Sequence, residues 1–157
     1  MSKEANLATQ KLQGEAINTG DLSKLNQVFA SDVTDHDPAP DQGKGPEGFI
    51  RFFTQFRAAF PDLKVTVEHL VQDENNVAMA YTITGTQQGP FQGIPATGKK
   101  IKARGMQIAK FNSNGLITER WGSSDELGIL SQIGATRPTS TMDAPPAITA
   151  PASTNQI

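Results

Sequence analysis

Apolar and polar positions change period along the chain, and the changes divide it into elements. Over residues 5–30, Leu7, Leu12, Ala16 and Ile17, then Leu22, Leu25, Val28 and Phe29, recur at steps that put side chains on one face of a helix. The spacing predicts two helical pieces broken at Thr19-Gly20-Asp21. Asp21 is placed to cap the second piece, because a carboxylate accepts from first-turn amides that have no partner within the helix. Ser31 to Gly45 reads as a loop. Pro46 suits the first position of a helix, where its missing N–H is no loss, and Phe49, Phe52, Phe53, Phe56 and Phe60 form an aromatic face that Pro61 ends.

From Leu63 the period becomes two. Val65, Val67, His69 and Val71 alternate with polar residues, and after Asp73-Glu74-Asn75-Asn76 the positions Val77, Met79, Tyr81 and Ile83 do the same, which predicts a hairpin. His69 either points inward as a core histidine or is turned outward by a β-bulge, after which the period-two reading fails. Gly85 to Gly98 is a loop holding Pro90 and Pro95. A long strand follows from Lys99 to Phe111, a turn at Asn112-Ser113-Asn114-Gly115, and a return strand from Leu116 to Ser123. Helices first and strands after predict an α+β fold, with N-terminal helices packed in a curved antiparallel four-stranded sheet. Glu126 to Ile133 adds one or two helical turns that close a domain of residues 1–136. From 137 to 157, Pro, Ala, Ser and Thr predict a flexible tail.

Composition narrows the function classes. The chain has 157 residues, 36% of them hydrophobic and 19% charged, which suits one ordinary domain able to bury a core. A net charge of −2 supplies no basic excess, so neither nucleic acid nor an anionic membrane is an expected partner. No apolar run approaches the ~20 residues that span a bilayer, and the N-terminus lacks the apolar stretch of a secretory signal, so a cytoplasmic location is expected. The absence of cysteine removes disulfides, thiolate metal sites and a cysteine nucleophile, and with only two histidines a three-histidine metal site is out of reach. Neither a metal nor a cofactor is expected.

Asp125, in Trp121-Gly-Ser-Ser-Asp125, falls just past the last strand and before an apolar segment. A carboxylate desolvated among aromatics is suited to acid–base work near neutral pH; the alternative is that Asp125 caps the following helical turn. The Asp35-His36-Asp37-Pro38 stretch reads as a turn or as a contact to a pocket. Lys99-Lys100-Ile101-Lys102-Ala103-Arg104 has the alternation of a solvated strand face. The phenylalanine stripe, Phe53 included, belongs to the core or lines a ligand cavity, and one helix can do both.

Several stretches taken together resemble the SnoaL-like polyketide cyclase family within the NTF2-like superfold. They are Gly45-Pro46-Glu47-Gly48-Phe49, Phe60-Pro61-Asp62-Leu63, Gly85-Thr86, Phe91-Gln-Gly93-Ile94-Pro95-Ala-Thr97-Gly98-Lys99, and Gly115-Leu-Ile117-Thr-Glu119-Arg-Trp121 with Asp125 and Gly128. The resemblance covers residues 5–136 and implies an α+β cone around an apolar cavity. It implies cofactor-free cyclisation of a polyketide or other ester by an aldol-type step. Asp125 would be its acid–base residue, Trp121 a cavity wall, and Gln107, Tyr81 or His36 the group that orients a carbonyl oxygen. Characterised members place a titrating histidine where this chain has Gln107, which hydrogen-bonds but does not titrate. Two further readings follow: a non-catalytic domain that binds an apolar small molecule, and a homodimer formed through the open face of the sheet.

Overall fold

The structure is a computed structural model and describes residues 2–134; the predicted tail at 137–157 lies outside the described residues. Helix α1 runs Lys3–Thr19, begun by the Ser2 hydroxyl accepting from the Ala5 amide and ended by Gly20 at φ 85. That left-handed conformation favours glycine and explains the break. The second piece is a short 3-10 helix, Leu22–Gln27, which Asp21 precedes without a side-chain cap; its carboxylate accepts from the Ser23 hydroxyl instead. Helix α2, Gly45–Ala59, carries Pro46 in its first turn and Phe60 at its end, as the pattern predicts.

The strands are β1 (Phe29–Asp35), β2 (Lys64–Gln72), β3 (Asn76–Thr86), β4 (Lys100–Phe111) and β5 (Ile117–Ser124), followed by helix α3 (Glu126–Gln132). They form one mixed sheet in the order β1-β5-β4-β3-β2, five strands where the pattern predicts four. The β2–β3 and β4–β5 hairpins are present as predicted. The difference is β1, which spans the end of the predicted second helical piece and the start of the predicted loop and pairs with β5 in parallel. Its pairing shifts register between Phe29 and Thr34, so it shows no two-residue alternation.

A bulge between Val67 and His69 reverses the inside–outside order of β2. Val67 pairs with Tyr81 on the inner face, while His69, opposite Ala80, is exposed. The α-helices lie against the inner face, and two apolar clusters form there. One joins Leu25, Val28, Phe29, Phe49 and Ile117, with the Phe29 and Phe49 rings stacked at 3.9 Å. The other joins Phe56, Phe60, Leu63, Ile83 and Ile129. The β3–β4 loop is organised by Gln87, fully buried, whose amide bonds Gly89, Ile94, Pro95 and Thr97. That loop brings Phe91 against Phe56 and Phe60 and so walls one side of a cleft above α2.

Candidate active site

Between the two clusters, polar side chains from α1, β1, β4 and β5 meet on the inner face. Along β5, Arg120, Gly122 and Ser124 face inward and alternate with Trp121 and Ser123, which are exposed. The Arg120 guanidinium donates through Nη1 to Asp35 Oδ1 at 2.9 Å and through Nε to Gln107 Oε1 at 3.1 Å. This ion pair is largely withdrawn from solvent: the side chains are 17% and 7% exposed. Asp35 also accepts from the Gln42 amide at 3.0 Å and from the Asp37 backbone N–H at 3.0 Å, so Arg120, Gln42 and Asp37 together occupy both its oxygens. Gln107 donates onward to Gln13 Oε1 at 3.2 Å.

Three adjoining spaces open around this cluster. The outermost, about 460 Å³, is the cleft between α2 and the Pro90-Phe91-Gln92 loop, with Arg51 and Glu126 at its edges. The middle one, about 250 Å³, has Asp35, Asp37, Gln107 and Arg120 among its walls and shares Phe52 and Glu126 with the first. The innermost, about 110 Å³, shares Gln13, Phe53, Gln107 and Arg120 with the middle one and is otherwise mostly apolar. An apolar cavity with a few convergent polar groups is the usual form of a small-molecule site.

Two glycines make room for this arrangement. Tyr81 faces Gly105 across the β3–β4 pair, and a Cβ there would stand 2.6 Å from the Tyr81 ring and hydroxyl. A Cβ on Gly122 would run into the Arg120 guanidinium. Burial pushes the Tyr81 hydroxyl above its usual pKa of 10.0, opposed by the Arg120 charge and by hydrogen bonding to Ser124 and Arg120. Tyr81 is therefore a neutral donor at physiological pH.

Of the residues singled out in the sequence, Phe53, Tyr81 and Gln107 line the cavity. Trp121 and His36 do not: they stack on each other at 4.5 Å on the outer face, where His36 Nε2 meets Glu119 Oε1 at 3.0 Å. That contact holds the Glu119 carboxyl below the usual carboxylate range. Trp121 leaves the cavity wall because it shares the outward parity of Ser123. Asp125 follows the same parity and is exposed, its Oδ1 accepting from the Gly128 amide at 2.9 Å as the cap of α3. It borders a shallow outer depression with Ala80 and Met106, whereas its neighbours Ser124 and Glu126 face the cavity.

Arg120, Gln13 and Gln10 are the site residues that the sequence reading passes over, whereas Asp35 lies in the Asp35-His36-Asp37-Pro38 stretch that it reads as a turn or a pocket contact. The signal was a polar stripe on α1, Asn6, Gln10 and Gln13, at helical spacing and buried. Among the described residues no group of three His, Cys, Asp or Glu side chains is placed to hold a metal ion, and no helix is long and apolar enough to cross a membrane.

Comparison with known proteins agrees with this architecture. A search of curated proteins gives no match. Among solved structures, TsrD from Streptomyces laurentii is similar at 26% identity and TM-score 0.79, over 87% of this chain and 99% of that one. IdmH from Streptomyces antibioticus, a candidate polyketide cyclase, is 30% identical with TM-score 0.72, over 82% of this chain and 98% of its own. A candidate polyketide cyclase from Acidithiobacillus ferrooxidans is 26% identical with TM-score 0.72, over 85% and 97%. The family model for SnoaL-like polyketide cyclases matches residues 8–133, and the chain belongs to that family.

Proposed function

We propose that the protein is a cofactor-free enzyme that moves protons on an apolar carbonyl compound and closes a ring by an aldol-type step in the cavity around Arg120. The observation that carries this reading is the buried guanidinium itself, fixed by Asp35 and Gln107 and bordering the two inner spaces. A preorganised cation in a water-poor site stabilises negative charge as it develops on oxygen, because no solvent has to reorganise. Asp37 stands on the same space with Oδ2 held by the Gly122 amide at 2.9 Å. In this reading Asp37 takes the α-proton of the substrate, the enolate oxygen rests against Arg120, and the enolate carbon bonds to a second carbonyl carbon. That carbonyl oxygen becomes an alkoxide and takes the proton back from Asp37. Tyr81 donates to the oxygen that is not reacting.

Asp125 has a different part here. As an exposed cap it sets the start of α3, which in turn packs on β4 through Gln132, bonded to the Lys102 N–H and carbonyl. The test compares Asp37→Asn with Asp125→Asn on an aromatic polyketide ester, following the ring-closed product by chromatography. Asp37→Asn is expected to lose at least about a hundredfold in turnover, on the scale of removing a positioned proton-transfer group. Asp125→Asn keeps it, since asparagine caps helices as well as aspartate does. The reverse result would move the chemistry to Asp125. A wild-type protein that binds the ester and returns it unchanged would make the domain a binder instead.

A further inference from the structure

The innermost space carries an unmet chemical demand. Gln10 lines it from α1, is 4% exposed, and its Oε1 is buried with no hydrogen-bond partner among the described residues. The orientation of that amide is not free. Arg120 has donors only, so the oxygen of Gln107 must face its Nε; the Gln107 nitrogen then donates to Gln13 Oε1, and Gln10 Nε2 donates to the same oxygen. Turning over any one amide would set donor against donor or acceptor against acceptor along the row. The guanidinium therefore imposes one polarity on three successive glutamines, and the row ends in a bare acceptor.

The apolar walls of the space that Gln10 lines include Phe52, Phe53, Phe56, Val65 and Ile83. Gly14 opens the space from the helix side: it lies within α1, where glycine is disfavoured, and a Cβ there would meet nothing within 4 Å. An engineered cavity of about 150 Å³ holds benzene, so a space of about 110 Å³ takes a single ring only with part of it reaching into the middle space that it joins. An unpaired acceptor in a mostly apolar slot favours a ligand that brings a donor to it.

We propose that the innermost space is a hydroxyl-reading subsite: it takes the phenolic end of the ligand, whose O–H donates to Gln10 Oε1 while the ring lies among the phenylalanines. The proposal rests on the cavity being the ligand site and not on the acid–base assignment, so it stands or falls by binding alone. The test uses phenol and toluene, equal in shape and different only in the donor, with affinity read by NMR titration of the full chain. Wild type is expected to bind phenol about tenfold more tightly than toluene. Gln10→Leu is expected to bring the two ligands level. Gly14→Leu, which fills the space without a clash at its Cβ, is expected to abolish binding of both with the fold retained by circular dichroism. Equal affinities in wild type overturn the proposal, and so does a phenol preference that survives in Gln10→Leu or binding of both ligands that survives in folded Gly14→Leu. The wild-type pair alone decides the matter if Gln10→Leu does not fold.

Discussion

At the middle of the sheet the two faces exchange the polarity that burial normally assigns. Gln107, on the inner face of β4, is 5% exposed, while its neighbour Met106 on the outer face is 65% exposed. The same reversal holds on β5, where Arg120 points in and Trp121 points out. Buried polar groups cost free energy unless they are fully paired, so a cluster of them at the centre of a domain marks a position kept for chemistry and not for stability. The outer face has no such polar cluster and instead leaves apolar side chains together in solvent: Ile108 lies opposite Trp121, and both border one shallow depression with Met106.

The difference can be broken from the inside. Arg120→Met removes the partner of a buried carboxylate, and chemical denaturation should show a loss of about 3–5 kcal/mol, the scale for stranding one member of a buried pair. Turnover should vanish with it. Next in size, Gly105→Ala forces Tyr81 off the strand it covers, with an expected loss of about 1–3 kcal/mol in the same measurement, as for overpacking elsewhere. An unchanged midpoint would mean that the ring has another resting place.

Alkaline titration sharpens the comparison without a substitution. Tyr81 is the chain's single tyrosine, so the ultraviolet phenolate signal belongs to it alone. Burial raises its pKa, which favours the neutral phenol in the folded protein. Its contribution to stability is therefore complete below the unfolded value near 10.0 and is lost as pH rises through the folded one. The signal should appear above 10.0 in the native protein and shift down in denaturant. The smallest effect belongs to the outer face: Met106→Lys should move stability by no more than about 0.5 kcal/mol, as exposed substitutions usually do.

Much of the scaffold was legible in the chain because periodicity reports burial. The Phe-rich helix, both hairpins and their turns follow from spacing and from asparagine and glycine at the turns. β1 did not, because its bulge hides alternation and its polar residues, Asp32 and Asp35, resemble a loop. The site was only half legible. Phe53, Tyr81 and Gln107 lie on faces that the apolar pattern marks as inward, but Arg120 and Gln13 are polar residues where that pattern asks for apolar ones. Parity along β5 places Trp121 and Asp125 outside, and it was the family resemblance that implied a cavity role for both, with helix capping as the alternative for Asp125.

The parallel strand has a consequence for how the protein folds. Asp35 and Arg120 are 85 residues apart in the chain, whereas the β2–β3 and β4–β5 hairpins close over short turns. Loop closure is entropically dearer the longer the loop, so the hairpins can form on local contacts and the β1–β5 seam only when the chain's two ends meet. The cavity's charged floor is thus absent from any species that has merely made its hairpins, and a ligand of that floor would distinguish the finished fold from a collapsed precursor.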